Sequence, residues 1–286
     1  MNIDISFYIP AYNAEKTIQK CVDSILNQTI SAKKILVIND CSTDNTKKIL
    51  LSYGKKVEII DNPKNLGVSY ARNLATSHLK TKYVASIDAD VELTKNWTKI
   101  LVSKSEENHV TLIGGKLYEK YIDNSYNLWR SLRLKQNWGN NDLLNPKFVF
   151  GCNNILDTSK IIIKDNYRND LEYFKTNGED VEFSNSLKNQ KLDLYYSSEA
   201  TCYHLQDDNG LSLSKRYWRY MHYGDGLKKR NFFKTIKNII RQIKKTLKWS
   251  FKDLISLNFK LIKVNFIIFY NFLILDLKFY NENKKK

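Results

Sequence analysis

The N-terminal third of the chain alternates short apolar strands with segments of helical length, and this alternation constrains the fold more than any other feature. Strands are predicted at residues 5–12, 34–40, 57–61 and 83–88, with the first breaking at Pro10. Helices are predicted between them, the first capped by Asn13 and reaching about residue 28. Strands that alternate with helices of about ten to fifteen residues are typical of a parallel, doubly wound sheet. We therefore expect an α/β fold with a Rossmann-like, mostly parallel sheet.

Each of these strands ends in polar residues, which parallel pairing would gather along one edge of the sheet. Asp40 ends the second strand, and Asp88 and Asp90 end the fourth. The crevice outside the carboxyl ends of parallel strands is where such sheets bind ligands. Two carboxylates spaced i, i+2 can hold Mg²⁺ or Mn²⁺, whose shell is usually completed by substrate phosphates. The predicted ligand is a nucleotide diphosphate, although an isolated Asp-x-Asp more often only caps the next helix.

The basic charge of the chain is confined to its C-terminal part. Of the formal net charge of +16, residues 1–210 contribute +1 and residues 211–286 contribute +15. A nearly neutral first part without an aromatic and basic recognition motif argues against nucleic acid as a partner. The four cysteines show no metal-ligand spacing, which suits reduced thiols in a cytosol. The N-terminus lacks a basic region followed by an apolar core, so we expect no signal peptide and a cytoplasmic protein.

Four motifs in a fixed order carry a resemblance to a known family. They are Ile-Pro-Ala-Tyr-Asn at 9–13, Val-Ile-Asn-Asp-Cys-Ser-Thr-Asp at 37–44, Asn-Leu-Gly-Val-Ser-Tyr-Ala-Arg-Asn at 65–73 and Asp-Ala-Asp at 88–90. Together they resemble the donor half of family 2 glycosyltransferases, which have the GT-A fold. The resemblance covers roughly residues 3–225 and implies an inverting enzyme that depends on a nucleotide-diphosphate sugar. UDP is the expected nucleotide, with GDP and dTDP as alternatives.

The resemblance also implies roles for residues of the donor half. It places Pro10 and Tyr12 at the nucleotide, with Tyr12 packed on the base, an arrangement that suits an aromatic face. It assigns Asp40 to a hydrogen bond with the base, Arg72 to the base or diphosphate, Asp88 to the ribose and Asp90 to the metal. The alternatives are a core tyrosine, a helix-capping aspartate and a surface arginine. Cys41 stands where the family usually has glycine, so the backbone angle of that turn is in question.

In the second half, the resemblance identifies Glu-Asp at 179–180 as the motif whose aspartate is the general base. Asp180 should lie in the first turn of a helix, where the helix dipole favours the ionised carboxylate. Alternatively it only stabilises that helix. The remaining candidates are the residues expected at the acceptor or sugar, Gly151, Asn153, Glu179 and Trp138, and His204 as a further metal ligand or phosphate donor. Trp129 and Trp138 are candidate platforms for sugar stacking, although a tryptophan is more often a core residue.

The basic tail has helical spacing of its apolar residues from residue 236 to residue 255, with lysines and arginine between them. This pattern is typical of an interfacial helix attracted to anionic lipid. The apolar run at 264–275 is too short to span a bilayer. We expect a tail that holds the protein on the inner face of the cytoplasmic membrane. The alternative is a helical bundle that packs on the catalytic domain or on a second subunit, which would make a homo-oligomer.

These observations lead to one expected organisation and one expected function. Residues 1–225 should form the GT-A domain, with a donor half at 1–117 and an acceptor half at 118–225, followed by a basic amphipathic helical tail at 226–286. The expected reaction moves a sugar to an acceptor hydroxyl on a bacterial surface glycan, a lipid-linked glycan or a protein, with Mn²⁺ or Mg²⁺ as cofactor. The alternatives are a catalytically silent glycan-binding or scaffold protein at the membrane and a sugar-nucleotide pyrophosphorylase, which would need a glycine-rich phosphate loop that residues 9–14 lack.

Overall fold

The computed structural model describes residues 3–161, 167, 178–222 and 232–284. Within them, nine strands form one sheet and helices cover much of the remaining chain. The strands are β1 (Ile5–Ala11), β2 (Lys34–Asn39), β3 (Glu58–Asp61), β4 (Tyr83–Ile87), β5 (Val91–Leu93), β6 (Leu112–Glu119), β7 (Leu143–Leu144), β8 (Asn153–Asp157) and β9 (Leu194–His204). The helices are α1 (Ile18–Leu26), α2 (Thr46–Leu51), α3 (Val68–His78), α4 (Trp97–Glu107), α5 (Ser125–Arg133), α6 (Glu179–Asn189), α7 (Gly210–Met221), α8 (Phe232–Ile255) and α9 (Phe259–Lys284).

The sheet order is β3-β2-β1-β4-β8-β6-β9-β5, with β7 paired to β9. The first four strands are parallel, as the alternation of strands and helices predicts. Beyond β4 the sheet is mixed, because β8 is antiparallel to both β4 and β6, and β5 is antiparallel to β9. The α/β fold class is confirmed, and parallel pairing occurs among β1 to β4 and again between β6 and β9.

Strands β1, β2 and β4 form the centre of the parallel part because both of their faces are covered. All five residues of β4 are buried, and β1 is buried at every position except Pro10. Near-continuous apolar runs of this kind are expected where helices cover both faces of a sheet. The predicted break of β1 at Pro10 is wrong, because the strand continues to Ala11. Pro10 is tolerated there because the pairing of β1 with β4 ends at Tyr8, so no partner on that side needs the missing N–H.

Several predicted boundaries shift in the structure. Asn13 does not cap α1, which begins at Ile18; its side-chain oxygen accepts instead from the backbone N–H of Thr43. The sequence also predicts strands at residues 147–156 and 192–196; the first begins only at Asn153, and the second continues to His204. The long β9 is the larger change, because it pairs with β6, β5 and β7 and carries His204 to the end of β6.

Contacts between residues divide the chain into two compact units. The first comprises residues 1–120 and 136–205 and contains the whole sheet. The second comprises residues 121–135 and 206–286, so α5 and α7 group with the two C-terminal helices. The boundary expected at residues 225 and 226 lies outside the described residues.

The second unit has its own core, in which apolar and polar groups are buried together. Trp129 is fully buried and its ring meets Tyr217 and Trp249 edge-on, with centroids 5.5 Å and 5.4 Å away. Its indole N–H donates to Asn265 over 2.7 Å. Trp129 is therefore a core residue of this unit, and its interpretation as a sugar platform is wrong. None of the described helices combines the length and the apolar character that crossing a membrane requires.

Candidate active site

Asp40 follows β2 and holds the loop that leads into α3. Its carboxylate accepts from the backbone N–H groups of Leu66 and Gly67 over 2.9 Å and 2.7 Å, and from the side chain of Asn62 over 2.7 Å. The residue is only 4% exposed. A carboxylate with these charge-assisted bonds fixes the loop at the edge of the sheet. Asp40 therefore holds the loop at residues 62–67 in place at the edge of the crevice.

Tyr12 projects from the end of β1 and is the most accessible of the predicted nucleotide residues. It is 52% exposed, which leaves its ring open to stack on a planar base. Pro10, two residues before it, is half-buried at the edge of the strand. Cys41, in the turn after β2, has a φ of 63°, so this turn does adopt the left-handed conformation that glycine favours.

Arg72 lies at the base of the crevice and is 1% exposed. Its guanidinium donates to Ser86, to the Gly151 carbonyl over 2.8 Å and to Asp88 over 2.8 Å. Its Nε also lies 3.3 Å from Glu179 Oε1. Burial disfavours the charged guanidinium, but Asp88 and Glu179 prevail and hold the pKa of Arg72 well above its usual range. The structure places Arg72 as a buried cation that ties α3, β4 and α6 together.

Asp88 and Asp90 follow β4 at the crevice, and His204, at the end of β9, contacts Asp90. His204 Nε2 lies 3.2 Å from Asp90 Oδ2, and its Nδ1 lies 3.1 Å from Glu119 Oε2. Burial lowers the pKa of His204, but the two carboxylates raise it more, to about 9. Burial also raises the pKa of Asp88, while Arg72 opposes that shift. His204 is thus protonated in this arrangement at neutral pH.

Glu119 is the site residue that the sequence interpretation missed. It ends β6 and lies directly beside His204 in the register of β6 and β9. A carboxylate on the far nitrogen of an imidazole fixes the orientation of the ring, as it does for metal-binding histidines. The signal was available, because Glu119 ends the apolar run of β6 much as Asp40 and Asp88 follow the apolar runs of β2 and β4. What the sequence could not give was the register that brings residues 119 and 204 together.

The donor set at this point consists of one carboxylate oxygen and one imidazole nitrogen. In the described part of the chain, no group of three or more histidine, cysteine, aspartate or glutamate side chains is placed to hold a metal ion by itself. Mg²⁺ and Mn²⁺ accept few protein ligands when substrate phosphates and water complete the shell. Asp90 and His204, with Glu119 behind the ring, fit an ion of this kind provided that the imidazole loses its proton.

Asp180 lies in the first turn of α6, as predicted, and faces the same crevice. The helix starts after Gly178, whose φ of 84° is the left-handed region that glycine tolerates. Asp180 Oδ2 accepts from the backbone N–H of Gly151 over 3.0 Å. Burial raises the pKa of Asp180, and this hydrogen bond and Arg72 oppose the shift. Residues 168–177, which precede this helix, lie outside the described residues.

Glu179 occupies a different position from its neighbour. It is 6% exposed and points to Arg72 inside the protein. Burial, and then the charge of Asp180, raise the pKa of Glu179, while Arg72 lowers it. Glu179 and Asp180 therefore cannot both carry a charge at low cost.

The other three residues predicted at the acceptor, Gly151, Asn153 and Trp138, lie in different surroundings. Gly151 lies between the two charged groups: a Cβ there would come within 2.8 Å of Arg72 Nη2 and 3.2 Å of the Asp180 Cβ, so only glycine fits. Asn153 is fully buried, and its side chain accepts from the backbone N–H of Gly115 over 2.8 Å. Trp138 is half-buried against Phe148 and donates its indole N–H to the carbonyl of that residue. Gly151 thus borders the crevice, whereas Asn153 supports the sheet.

The mixed sheet with carboxylates at the ends of its strands has the GT-A fold, and solved glycosyltransferase structures share it. Residues 1–349 of TarS from S. aureus superpose with a TM-score of 0.58 at 16% identity, covering 98% of this chain and 92% of that chain. The mannosyltransferase PcManGT from Pyrobaculum calidifontis, in complex with GDP-Man and Mn²⁺, gives a TM-score of 0.59 at 14% identity, covering 78% of this chain and 62% of that chain. At these identities the likeness shows the fold alone.

The sequence comparison identifies the family. The chain belongs to the family described as "Glycosyl transferase family 2", whose model matches residues 6–167. The chondroitin synthase of Pasteurella multocida is 44% identical over 89 residues, which are 30% of this chain and 9% of the synthase. A UDP-Glc:alpha-D-GlcNAc-diphosphoundecaprenol beta-1,3-glucosyltransferase of Escherichia coli is 31% identical over 122 residues, 42% of this chain and 48% of that enzyme. The similarity thus spans less than half of the length of either relative.

Proposed function

We propose that this glycosyltransferase transfers a sugar from a UDP-sugar to a hydroxyl of a lipid-linked acceptor glycan, with inversion at the anomeric carbon. The observation that carries the proposal is a chain of contacts at the end of β4: the buried Arg72 donates to Asp88 and to the Gly151 carbonyl, and the Gly151 N–H donates to Asp180. The choice of donor and acceptor is supported by relatives: the E. coli relative is named for UDP-Glc and a diphosphoundecaprenol-linked sugar, and TarS has been solved with UDP-GlcNAc.

Asp180 acts as the general base in the proposed reaction. Its carboxylate accepts the proton of the acceptor hydroxyl while the hydroxyl oxygen forms a bond to the anomeric carbon and the bond from that carbon to the diphosphate oxygen breaks. A single in-line displacement inverts the configuration at the anomeric carbon. Burial raises the pKa of Asp180, which makes its ionised form a stronger base. The backbone N–H groups of Gly151 and Val181 each donate to one of the two carboxylate oxygens, so the carboxylate is held in place and a remaining lone pair accepts the proton.

Asp90 and His204 would hold Mn²⁺ or Mg²⁺, with Glu119 orienting the imidazole. When bound, the ion neutralises negative charge on the leaving diphosphate. Tyr12 stacks on the base, and Asp40 keeps the loop at residues 62–67 in place beside it. Arg72 is buried, and its role in the proposed reaction is to position Asp88 and the Gly151 carbonyl through hydrogen bonds.

The donor assignment is tested by thermal unfolding with UDP, GDP, dTDP and CDP, each with and without Mn²⁺. A ligand that binds only the native state raises the midpoint of unfolding. We expect the largest increase with UDP and Mn²⁺, and we expect Asp90→Asn to lose the effect of Mn²⁺ while it keeps a smaller effect of UDP. A larger increase with GDP would replace the proposed donor, and no increase with any nucleotide would contradict the donor site.

The role of Asp180 is tested by Asp180→Asn, with Glu182→Gln in the same helical turn as the matched control. Loss of a general base should lower kcat by about 10²-fold or more. The midpoint increase with UDP should persist, since Asp180 does not contact the nucleotide in this proposal. Unchanged turnover in Asp180→Asn would remove it as the base. Absence of transfer and of donor hydrolysis in the wild type, across UDP-sugars, would favour a silent glycan-binding protein.

A further inference from the structure

Helix α8 presents three parallel stripes of different chemistry, and the stripe that faces the protein is polar. The buried residues of this helix are Thr235, Asn238, Gln242, Thr246 and Asp253. Partners in the second unit hold this stripe: Gln242 accepts from the Tyr217 hydroxyl over 2.7 Å, and Asp253 pairs with Arg133. The helix is therefore attached through hydrogen bonds and an ion pair along this stripe.

The apolar stripe of α8 faces outward. Its central residues are Ile236, Ile240, Ile243, Leu247, Phe251 and Leu254, which are 39%, 48%, 40%, 58%, 66% and 49% exposed. Amphipathic helices of globular proteins normally turn this side to the core. Here the arrangement is inverted, and the stripe extends along a helix of 24 residues, about 36 Å at the usual rise per residue. An exposed apolar surface of this length marks an interaction site.

The third stripe is basic and runs beside the apolar one. It consists of Lys237, Arg241, Lys244, Lys248 and Lys252, all exposed. Each follows an apolar residue of the outward stripe by one position, so it lies about 100° further around the helix. The acidic residue within α8, Asp253, is buried and faces the other way. The outward surface of α8 therefore combines apolar and positive groups without negative ones.

We propose that this outward surface docks on the headgroup region of an anionic lipid bilayer, with α8 parallel to the membrane plane. The apolar stripe enters the boundary between headgroups and acyl chains, and the lysines beside it lie at the level of the phosphates. Charge complementarity favours a bilayer over a second copy of the chain, because two such faces brought together would oppose their own basic stripes. The proposal does not depend on the identity of the sugar donor.

The test is co-sedimentation of the full chain with vesicles of phosphatidylcholine alone and with about 30% phosphatidylglycerol. We expect binding only to the anionic vesicles, and a decrease of at least about tenfold in the partition coefficient at high salt, which screens the lysines. Ile240→Gln with Leu247→Gln should lower binding by at least about tenfold. The matched control is Leu51→Gln with Leu144→Gln, two leucines of similar exposure in the first unit, and it should bind as the wild type does.

The basic stripe is tested separately by Lys244→Gln, Lys248→Gln and Lys252→Gln in one variant. Its control removes the same charge from exposed lysines of the first unit, Lys55, Lys95 and Lys99. Binding that falls equally in both charge variants would show a general effect of net charge and overturn the assignment to α8. Equal binding to neutral and anionic vesicles would also overturn it. A third result would also overturn the assignment: a dimer that forms without vesicles and that Ile240→Gln with Leu247→Gln dissociates. The outward surface of α8 would then bind a second copy of the chain.

Discussion

Cys41 holds a backbone conformation that its side chain does not favour. Its φ of 63° places the Cβ close to the neighbouring carbonyl, a strain of about 1–2 kcal/mol for a residue other than glycine. The turn is held there because Asn39 and Asp40 on one side and Asn13 on the other fix the loop by hydrogen bonds. The turn at residue 41 therefore keeps the left-handed conformation that a glycine would adopt, although the residue is a cysteine.

Replacing Cys41 with glycine should therefore stabilise the protein. Glycine removes the backbone strain from the folded state, but it also increases the conformational entropy of the unfolded chain. The first effect on the free energy is the larger one, so we expect Cys41→Gly to raise the free energy of unfolding by about 0.5–1 kcal/mol. Urea unfolding measures the change. Cys41→Ala is the control, because it removes the thiol and keeps the strain. A gain of the same size in both variants would assign the effect to the thiol.

His204 gives the protein a specific dependence of stability on pH. Its pKa is about 9 in the folded chain and about 6.5 when unfolded, so the folded state binds the proton more tightly. The stabilisation is complete below pH 6.5 and is lost as the pH rises through 9, amounting to about 3 kcal/mol. With chelator present, the difference in unfolding free energy between wild type and His204→Gln should shrink by this amount between pH 6 and 9.5. A constant difference would contradict the pairing with Asp90 and Glu119.

At the scale of elements, the close approach of β6 and β9 depends on Gly115. A Cβ at this position would meet the Ala200 carbonyl at 2.3 Å and the side chains of Asn153 and Trp97 at 2.8 Å. Two of these neighbours are a backbone carbonyl and a fully buried indole, which cannot move aside cheaply. The same strands carry Glu119 and His204, so the spacing at residue 115 supports the site at their ends.

Gly115→Ala should destabilise the chain by about 3 kcal/mol or more, because overpacking between paired strands forces the backbone apart. Chemical unfolding gives the magnitude. Gly54→Ala is a suitable control: no atom lies within 4 Å of its added Cβ, and only the left-handed φ of 54° opposes alanine, at about 1 kcal/mol. Similar losses in the two variants would mean that the strands relax around the methyl group.

The elements of the donor half could be predicted because their signals are local. Asp40, Asp88 and Asp90 each follow a strand whose apolar run is visible in the sequence, and parallel pairing brings the strand ends together. The pairing of Arg72 with Glu179 and the place of Glu119 could not be predicted in this way. They depend on contacts between segments that are distant in the chain, and on a register that hydrophobic patterns do not fix.

At the scale of the whole molecule, the second unit buries charge where a larger apolar core would be expected. Arg133 and Asp253 are each 6% exposed in their side chains, and Asn265 donates to the same carboxylate over 2.8 Å. Hydrophobic spacing predicted α8 as an amphipathic helix but could not tell which side faces inward. That choice is made by these polar partners, which belong to α5, α7 and α9.

Asp253→Ala should destabilise the second unit by about 3–5 kcal/mol, since it leaves the Arg133 charge buried without a partner. Hydrogen exchange should become faster in α5, α8 and α9. Arg133→Leu combined with Asp253→Leu should recover most of the loss, because both charges are then removed. Glu282→Ala, which breaks an exposed pair with Lys278, should change stability by less than about 0.5 kcal/mol. A loss from Asp253→Ala as small as that would contradict a structural role for the buried pair.

The order of strands in the sheet has a consequence for how the chain is made. Strand β4 emerges from the ribosome with β1 already available on one side, but its partner on the other side, β8, begins only at Asn153. Until that residue has been synthesised, the nascent chain carries an apolar strand with one open hydrogen-bonding edge, a template for pairing with other chains. Slow translation or premature termination between Ile87 and Asn153 therefore exposes this protein to aggregation more than the same event near either end.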